Sequence, residues 1–577
     1  MCVGQSKLMA SSKPQISCQK LSITSILFLS LFLMFLVFSF KPKPGHELDQ
    51  HPQTAARNVK KPFSIIKQKS WFDDLIEKKI DSEPIKIGLV NVDDHVKHAY
   101  DRMHGQLETV TVDFRPVSED LKWESFFPEW IDEDARWHQP SCPEVPMPRL
   151  EDYRDLDVIL ARVPCGSGPE KQGIRDVFRL QVNLVVANLA VTNGLTKDGD
   201  DRTVYVIFMG SCGPMQEIFR CDDLITRLGD YWVYKPELRR LRQKVQMPVG
   251  SCQIAPLDRF TGSQGIQRHP MAARYSSTRK LIDNILYDHQ RVAYATVIHS
   301  SEAYVCGAIA LAQSIIQNNS TRDLVLLHDS SLSPESLAGL RSAGWKTKLI
   351  QPIRSPFARK NSYNEWNYSK LRLWQLTEYD KVIFIDADLI VLRNIDKFFA
   401  YPQLSAAPND RVLFNSGIMV IEPSTCLFEE MMSKRDKLFS YNGGDQGFLN
   451  EVFTWWHRLP TRLNYLKIFK TRGNPDHEMQ KGPYTIHFLG LKPWACYRDY
   501  DCNWDMVDRH VFASDSAHRS WWRVYDAMPK KLQQYCGLTK HMDARIRKWR
   551  GKAKNANLPD GHWKINVKDP RQYPLNK

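Results

Sequence analysis

Two aspartates two positions apart follow a short apolar segment in the middle of the chain. Lys381–Ile385 is a stretch of mostly β-branched and aromatic residues that predicts a short buried strand, and Asp386 and Asp388 come directly after it. Side chains at i and i+2 of an extended segment point the same way, so both carboxylates face one side. Such a pair can hold a divalent cation against a diphosphate, where it would neutralise charge that builds up on a leaving phosphate.

The spacing alone does not single out this pair. It recurs in settings that read as solvated loops, at Asp155/Asp157, Asp198/Asp200 and Asp499/Asp501. Asp386 and Asp388 differ in having a strand before them, the apolar run Leu389–Leu392 after them, and three polar motifs further along. The pair alone supports a catalytic and a purely structural interpretation equally.

The segments around the pair predict a second α/β body that begins near Arg291. Strand and helix patterns alternate, which predicts a mostly parallel sheet with ligands at the carboxyl ends of its strands, where Ser300 and Ser301 also fall. The predicted elements are strands over Val292–His299, Leu324–His328 and Lys346–Ile350, and helices over Tyr304–Gln317, from Ser333-Pro334 to Gly344, and around Lys370 and Trp374. Small residues such as Gly307 allow the first helix to pack closely on the sheet.

Three polar motifs follow the acidic pair. They are Phe414-Asn415-Ser416-Gly417, Asn442-Gly443-Gly444-Asp445-Gln446-Gly447 and His487-Phe488-Leu489-Gly490-Leu491-Lys492-Pro493-Trp494. Taken singly, each has an ordinary structural explanation as a turn, a helix cap or a core histidine with satisfied hydrogen bonds.

Taken together and in order, the motifs resemble the retaining glycosyltransferases of family 8, the group that includes glycogenin and galactinol synthase. The resemblance runs from Tyr294 to Trp494. It implies a GT-A fold, a Mn²⁺ cofactor and a UDP-sugar donor. It also implies that Asp386, Asp388 and His487 are the metal ligands, a mixed carboxylate and imidazole set that suits Mn²⁺.

The same resemblance implies roles for the remaining site residues. The donor nucleotide would lie against the turn that carries Ile298, Ser300, Ser301 and Tyr304, with Tyr304 as the stacking ring, and beside Ala387. The diphosphate would be bound by Lys370, Gly490 and Lys492, and the transferred sugar would be surrounded by Asn415, Asp445 and Gln446. Two departures from glycogenin stand out: one residue fewer separates Gly490 from Lys492, and Asn442 replaces an aspartate, which suggests a different sugar.

A narrower resemblance covers nearly the whole chain. The segments IKIGLVNVDDH, YVIFMGSCGPMQEIFRCDDL, GGDQGFLN and HFLGLKPW resemble the plant xylan glucuronosyltransferases. That family implies a Golgi type II membrane protein that moves glucuronate from UDP-glucuronate to O-2 of xylose in xylan. An anionic donor sugar favours a basic partner, for which Arg359, Lys360 and Arg372 are candidates.

Retention of configuration can proceed through a covalent intermediate or by attack on the same face of the sugar. Gln446 is a poor nucleophile, and Asp445 is the only matched acid outside the metal set, so same-face transfer is favoured, with Lys370 stabilising the departing UDP. Two other functions stay open: a glucan-priming glucosyltransferase that uses UDP-glucose, and a catalytically silent carbohydrate-binding member of a Golgi complex. The intact acids and His487 argue against the silent protein.

Composition bounds the rest. A chain of 577 residues with 42% hydrophobic content should hold more than one domain. The net charge of +14 comes from 79 basic and 65 acidic residues mixed along the sequence, and no nucleic-acid-binding signature is present, so no nucleic acid is expected as a partner. Association with copies of itself or with other chains is allowed but not indicated.

Leu21–Phe40 is a run of twenty uncharged residues, long enough to span a bilayer. We therefore predict a cytosolic tail over 1–20, a signal-anchor over 21–40 and a stem over 41–83. An α/β accessory region over 84–270, a catalytic domain over 291–500 and a basic, tryptophan-rich region over 501–577 follow. Ten cysteines after the anchor and sequons at Asn318, Asn319 and Asn367 suit a secretory lumen.

Overall fold

The computed structural model describes residues 84–101, 107–127, 143–165, 175–196, 201–246, 291–469, 476–480 and 482–572. The predicted tail, anchor and stem lie outside these ranges. Within the part of the chain that is described, no helix is both long and apolar enough to cross a membrane.

The first half folds around a six-stranded sheet in the order β2-β1-β3-β4-β6-β5. β1 to β4 are parallel to one another, and β5 and β6 add an antiparallel edge. The elements are β1 Ile85–Val90, α1 Asp94–Asp101, β2 Leu107–Val112, β3 Val158–Arg162, α2 Val177–Gly194, β4 Tyr205–Met209, β5 Leu224–Leu228, β6 Tyr231–Tyr234 and α3 Leu238–Gln246. α2 is apolar along most of its length and is buried against the sheet.

The second half folds around a seven-stranded sheet in the order β14-β12-β13-β10-β7-β8-β9. Its elements are β7 Val292–Ile298, α4 Val305–Gln317, β8 Asp323–His328, α5 Pro334–Ser342, β9 Lys346–Leu349, β10 Lys381–Ile385, β12 Ser405–Pro408, β13 Phe414–Ile421, α6 Thr425–Lys434, α7 Asp445–Val452 and β14 His457–Arg458. β10, β7, β8 and β9 are parallel, as predicted, whereas β13 runs antiparallel to β10.

A small three-stranded sheet adjoins the large one and leads into the C-terminal helices. Its strands, in the order β11-β16-β15, are β11 Leu389–Val391, β15 Tyr465–Leu466 and β16 Thr485–His487. The helices that follow are α8 Asp515–Ala527, α9 Lys530–Gln533 and α10 Lys540–Asn555. Trp504, Trp521 and Trp522 are buried here, so core packing rather than a sugar platform explains these three.

The predicted strands and helices are confirmed with shifts of a few residues at their ends, and the α/β fold class with them. Ser333 caps α5, and its hydroxyl accepts the N–H of Ser336. Gly307 lets α4 approach the sheet, because a Cβ there would lie 2.4 Å from Ala387 O. The segment with Lys370 and Trp374 is a 3₁₀ helix, Tyr368–Gln375.

In two of the repeated Asp pairs the second aspartate is buried, contrary to the prediction, while Asp155 and Asp499 are exposed. Asp157 is buried and bonded to Arg202 at 2.7 Å, and Asp501 is 1% exposed and paired with the buried Lys467. Both carboxylates are therefore structural anions with a cation of their own. Asp198 and Asp200 lie outside the described residues.

A buried group of charges joins the accessory sheet to the catalytic sheet. Arg220 donates to Glu422 Oε2 over 3.0 Å, and Lys381 donates to Tyr401 O over 2.7 Å. Lys244 is 3% exposed in the same place, where burial lowers its pKa to about 8. Lys244 of α3 therefore points into the junction between the two sheets rather than into solvent.

Four disulfides are present among the described residues. They are Cys165–Cys212, Cys221–Cys426, Cys306–Cys536 and Cys496–Cys502. Cys221–Cys426 links the accessory sheet to the catalytic body, and Cys306–Cys536 ties the C-terminal region to α4. This pairing is typical of an oxidising compartment.

Candidate active site

Strand pairing brings the acidic pair and the histidine together. β10 ends at Ile385, and β11 begins at Leu389, which is paired with His487 of β16. Because that pairing is antiparallel, Phe488 N–H donates to Asp388 O over 3.0 Å. Ligand atoms of Asp386, Asp388 and His487 then lie within 4.8 Å of one another. The resemblance-based ligand set is therefore one cluster in space, although His487 is far away in sequence.

Asp388 is held by two cationic or polar partners. Lys492 Nζ donates to Asp388 Oδ2 over 2.6 Å, and His487 Nε2 lies 3.4 Å from Asp388 Oδ1. Lys492 therefore reaches the acidic pair despite the shorter spacing from Gly490. Burial would raise the pKa of Asp388, but Lys492 and His487 outweigh it and hold that pKa well below its usual range. Asp388 is therefore ionised at neutral pH.

A second ion pair lies on the other side of the acids. Lys370 Nζ is 2.6 Å from Asp445 Oδ2 and 3.2 Å from Asp386 Oδ1, and Ser416 Oγ donates to Asp445 over 2.7 Å. These groups meet because β13 runs antiparallel to β10, so its first residues lie at the carboxyl end of β10 beside the start of α7. Lys370 thus links the metal-ligand pair to the sugar-pocket acid.

The two acids of the pair differ in their proton affinity. Burial raises the pKa of Asp386 to about 6, against the opposing charge of Lys370 and with the help of the neighbouring Asp388. Burial would lower the pKa of Lys370, but Asp386 and Asp445 raise it above its ordinary value. Lys370 is therefore a permanent cation in a nearly closed pocket.

A chain of side-chain amides, which no sequence pattern indicated, places a proton on Nδ1 of His487. Gly417 N–H donates to Asn415 Oδ1 over 2.9 Å, so the Asn464 group 2.8 Å from that oxygen is its NH₂. Asn464 Oδ1 therefore faces His487 Nδ1 at 3.0 Å and accepts its proton. In the neutral imidazole the lone pair of His487 is therefore on Nε2, the nitrogen that faces Asp388, as a metal ligand requires.

Replacing Asn464 with leucine should weaken Mn²⁺ binding by about ten- to a hundredfold, the usual cost of losing the partner that orients a ligating imidazole. Titration calorimetry on the purified protein measures this. Asn409→Leu is a matched control, since the Asn409 side chain bonds to the outer amide of Asn415 at 3.3 Å and to Asp410 at 3.4 Å, neither of which is a predicted metal ligand. Equal Mn²⁺ affinities of the Asn464 variant and wild type would contradict the assignment.

The loop predicted to bind the diphosphate is fastened by residues of the C-terminal region. Asn503 Oδ1 accepts the N–H of Leu491 over 2.8 Å, and Asn503 Nδ2 donates to Leu491 O over 3.1 Å. Gly490 has φ +76°, and a Cβ there would lie 2.4 Å from Asn503 Oδ1, so only glycine fits. Asp501 Oδ1 in turn accepts from Asn503 Nδ2 over 2.7 Å. The region beyond residue 500 thus shapes the site.

The predicted nucleotide turn sits at the carboxyl end of β7. Ser300 adopts φ +62° and its N–H donates to Asp329 Oδ2 over 2.8 Å, while Ser301 Oγ accepts from Ala303 N. Tyr304 is half-buried against Trp494, edge to face, with ring centroids 6.0 Å apart. Ile298 belongs to the hydrophobic core, so its side chain supports the turn from below. Nucleotide binding at this turn stays a prediction.

The sugar-pocket motif forms the start of α7. Gln446 Oε1 accepts the N–H of Ser416 over 3.2 Å, and Gln446 Nε2 donates to Tyr441 OH over 2.5 Å. Asn442 Oδ1 accepts the N–H groups of Gly444 and Gly447 at 2.9 and 3.1 Å. Asn442 is thus engaged as a cap of this loop, which accounts for it without any contact with the sugar.

The three basic candidates for a donor carboxylate divide into two groups. Arg372 donates to Gln351 O over 3.1 Å and to Gln375 over 2.9 Å and lies over the Phe428 ring, so it is engaged elsewhere. Arg372 is therefore the least favoured of the three candidates. Arg359 and Lys360 are exposed on a loop packed against the α7 entrance, where Ser355 Oγ donates to Gly443 O over 2.8 Å.

Comparison with known proteins bears on this site. The family model described as Glycosyl transferase family 8 matches residues 295–497, and the one described as GUX1-5 N-terminal domain matches residues 62–252. UDP-glucuronate:xylan alpha-glucuronosyltransferase 2 of Arabidopsis thaliana is 50% identical over 84% of this chain and 80% of its own length. The Arabidopsis sequence numbered 5 in the same series is 51% identical over 97% of this chain and 99% of its own length.

The chain belongs to the xylan alpha-glucuronosyltransferase family. It is a glycosyltransferase of family 8. Human glycogenin-1 is a more distant relative, 30% identical over 42% of this chain and 74% of its own length. The two Arabidopsis relatives match 84% and 97% of this chain, a far larger share than glycogenin-1 does.

The residues present fit a divalent cation of the kind family 8 enzymes generally use. Two carboxylates and an imidazole nitrogen with its lone pair free converge within 4.8 Å, and this donor set suits a first-row metal better than Ca²⁺. The other group of potential ligands in the described residues includes Cys221 and Cys426, whose sulfurs are already joined in a disulfide.

Proposed function

We propose that this protein transfers glucuronate from UDP-glucuronate to xylose residues of xylan through an α-1,2 bond, with retention of configuration, on a GT-A-type fold. The observation that carries the proposal is the complete cluster of Asp386, Asp388 and His487 in a chain 51% identical to a glucuronosyltransferase relative over almost its whole length. A silent binding protein would have no need for two ionisable acids, an oriented imidazole and two lysines in one pocket.

The side chains of the site divide the work of the transfer between them. Asp386, Asp388 and His487 would hold Mn²⁺, which when bound supplies Lewis-acid stabilisation of the leaving diphosphate. Lys370 and Lys492, both buried or nearly so, add fixed positive charge on either side of the acids. These cations keep the departing UDP in place while its oxygen accepts the proton of the acceptor hydroxyl.

Asp445 is better placed to orient than to attack. Its Oδ2 is shared by Lys370 and Ser416 at 2.6 and 2.7 Å, which lowers the electron density available for a covalent bond to sugar. The ion pair instead fixes the start of α7, on which Gln446 faces the transferred sugar. This arrangement supports same-face transfer.

The test is an assay of the purified full chain with UDP-glucuronate, UDP-glucose and UDP-galactose, each with xylohexaose and Mn²⁺. We expect transfer from UDP-glucuronate and a product whose new bond is α-1,2 by NMR. Preference for UDP-glucose with self-glucosylation would support the glucan-priming alternative instead.

The donor carboxylate is expected to be read by the loop that carries Arg359 and Lys360. Replacing both with alanine should lower kcat/KM for UDP-glucuronate about ten- to a hundredfold and leave that for UDP-glucose nearly unchanged, since only the former loses a charge-assisted contact. Arg372→Ala is the control, because that guanidinium is engaged elsewhere. An unchanged donor ratio in the double variant would mean that the carboxylate is read elsewhere.

Mn²⁺ affinity should fall as the pH falls through about 6. Burial raises the pKa of Asp386 to about 6, so this carboxyl is mostly ionised above that pH and mostly protonated below it. The cation must displace the proton, so this one group should weaken binding about fourfold at about pH 5.5 relative to about pH 7.5. Calorimetry at both pH values, in buffers of different ionisation enthalpy, measures the affinity and the proton released. Equal affinity at both values would contradict the assignment.

We further propose a single-pass type II arrangement in the Golgi membrane, with residues 41–577 luminal. The uncharged run Leu21–Phe40 and the four disulfides support it. Protease digestion of sealed vesicles tests it, since a luminal body is protected until detergent is added.

A further inference from the structure

Three aromatic rings stand in solvent beside the entrance to the sugar pocket. Tyr363 is 86% exposed, Phe439 is 59% exposed and Tyr441 is 48% exposed. We call these three residues the aromatic rim. Large rings are normally buried, and a group of exposed ones on an otherwise folded surface marks a place where a ligand or partner binds.

The rim is continuous with the residues predicted to surround the transferred sugar. Gln446 Nε2 donates to Tyr441 OH over 2.5 Å, so this ring borders the first turn of α7 directly. Asn364 Nδ2, next to Tyr363, donates to Asn442 O over 2.8 Å, which brings the Tyr363 loop against the Tyr441 loop. The rim therefore borders the start of α7 on the Tyr441 side and the Asn442 turn on the Tyr363 side.

The backbone beneath the rim is firmly held while the rings are not covered. Ser440, between the two rim residues of its loop, is buried, and its Oγ donates to Gly444 O over 2.7 Å. This alternation turns Phe439 and Tyr441 outward on the same side. Phe439 also meets the Phe357 ring edge to face, with centroids 5.5 Å apart. The rim is thus a preformed surface whose rings need no rearrangement to accept a ligand.

The chemistry of the rim fits an uncharged sugar chain. A pyranose ring packs its C–H face on an aromatic ring while its hydroxyls stay in water, and tyrosine adds a hydroxyl at the edge. The charged residues near the rim are of both signs, Asp410 on one side and Arg359 and Lys360 on the loop of Tyr363. No single sign of charge would therefore select an anionic polymer.

We propose that the aromatic rim is the acceptor subsite, where xylose units next to the one that receives glucuronate stack on Tyr363 and Tyr441. This inference rests on the proposed function. It assigns acceptor binding to Tyr363 and Tyr441, which lie outside the motifs of the sequence analysis.

The experiment measures the Kd of xylohexaose for the full chain in the presence of UDP and Mn²⁺, together with the KM for UDP-glucuronate. Tyr441→Ala and Tyr363→Ala should each raise that Kd about tenfold, the effect of losing one stacking contact, and leave the donor KM unchanged. Tyr441→Phe, which keeps the ring but not the hydrogen bond to Gln446, should bind xylohexaose nearly as wild type does. Leu349→Ala, an exposed apolar residue of edge strand β9 that is 69% exposed, is the control for surface change.

The outcomes separate this inference from the proposed function. The rim proposal is contradicted if both alanine variants bind xylohexaose with wild-type affinity. It is also contradicted if Tyr441→Phe binds xylohexaose as weakly as Tyr441→Ala, because the loss would then come from the hydrogen bond to Gln446 and not from stacking. If wild type transfers glucuronate to xylohexaose while the rim variants bind it normally, only the rim proposal fails. If wild type binds xylohexaose through the rim but transfers no glucuronate, the proposed reaction fails and the subsite stands.

Discussion

Replacing Asp388 with asparagine should lower kcat for glucuronate transfer at least about a hundredfold at saturating Mn²⁺, because a full negative charge leaves the metal shell. Asp388 is the acid on which Lys492 and His487 both converge, at 2.6 and 3.4 Å. Its loss therefore frees Lys492 to pair with other anions in the pocket. Steady-state transfer with UDP-glucuronate and xylohexaose measures the effect.

Asp157→Asn is a matched control for this experiment. Asp157 ends a D-x-D pair of the same spacing, is buried to a similar degree and has its own cation, Arg202, at 2.7 Å. We expect Asp157→Asn to destabilise the fold but to leave the turnover of the folded fraction unchanged. An Asp388→Asn enzyme that keeps more than about a tenth of wild-type turnover would remove the pair from the metal site.

Replacing Lys370 with methionine should cost both stability and catalysis. The variant keeps the length of the side chain but leaves two carboxylates, Asp386 and Asp445, facing each other without their shared cation. Breaking a buried pair in this way costs about 3 kcal/mol of unfolding free energy. Turnover should fall about a hundredfold as well, since the departing UDP loses a fixed positive charge.

The double variant Lys370→Met/Asp445→Asn separates the two effects. Removing the second charge should restore much of the lost stability, because no unpaired anion is then left at Asp445. Turnover should stay low, because the missing cation is not replaced. Urea denaturation of wild type, Lys370→Met, Asp445→Asn and the double variant gives the free energies of unfolding for a double-mutant cycle. Recovery of turnover in the double variant would show that Lys370 only holds the fold.

Local sequence patterns were sufficient for the elements and for the acids at the end of β10. Apolar runs with turn residues at their ends predicted β7, β8 and β10, and a serine before a proline predicted the start of α5. These signals are short-range, so they survive without any knowledge of the tertiary fold. The same reasoning predicted that Asp501 is solvated. Its ion pair with the buried Lys467, 34 residues earlier, cannot be recognised from the residues next to it.

The residues that support the site could not be predicted from the sequence for the same reason. Asn464 and Asn503 act through contacts made only when β15, β16 and the 3₁₀ turn after Tyr500 come together. An asparagine in a loop is ordinary turn chemistry, and neither position carries a periodic signal. Lys370 was different, because the resemblance to family 8 already named it as a site residue. Only the antiparallel pairing of β13 with β10 showed that its partner is Asp445.

The buried junction between the two sheets limits where the chain can be divided into parts that fold separately. One apolar core runs from Phe126 and Phe127 to Trp455 and Trp456, and Trp123 Nε1 donates to Thr454 O over 3.3 Å. A fragment beginning at residue 291 would carry half of that core, a Glu422 that has lost its partner Arg220, and a lone Cys426 thiol. We therefore expect the transferase half to need the accessory sheet in order to fold, and chimaeras between relatives to fold only when both faces of the junction come from the same parent.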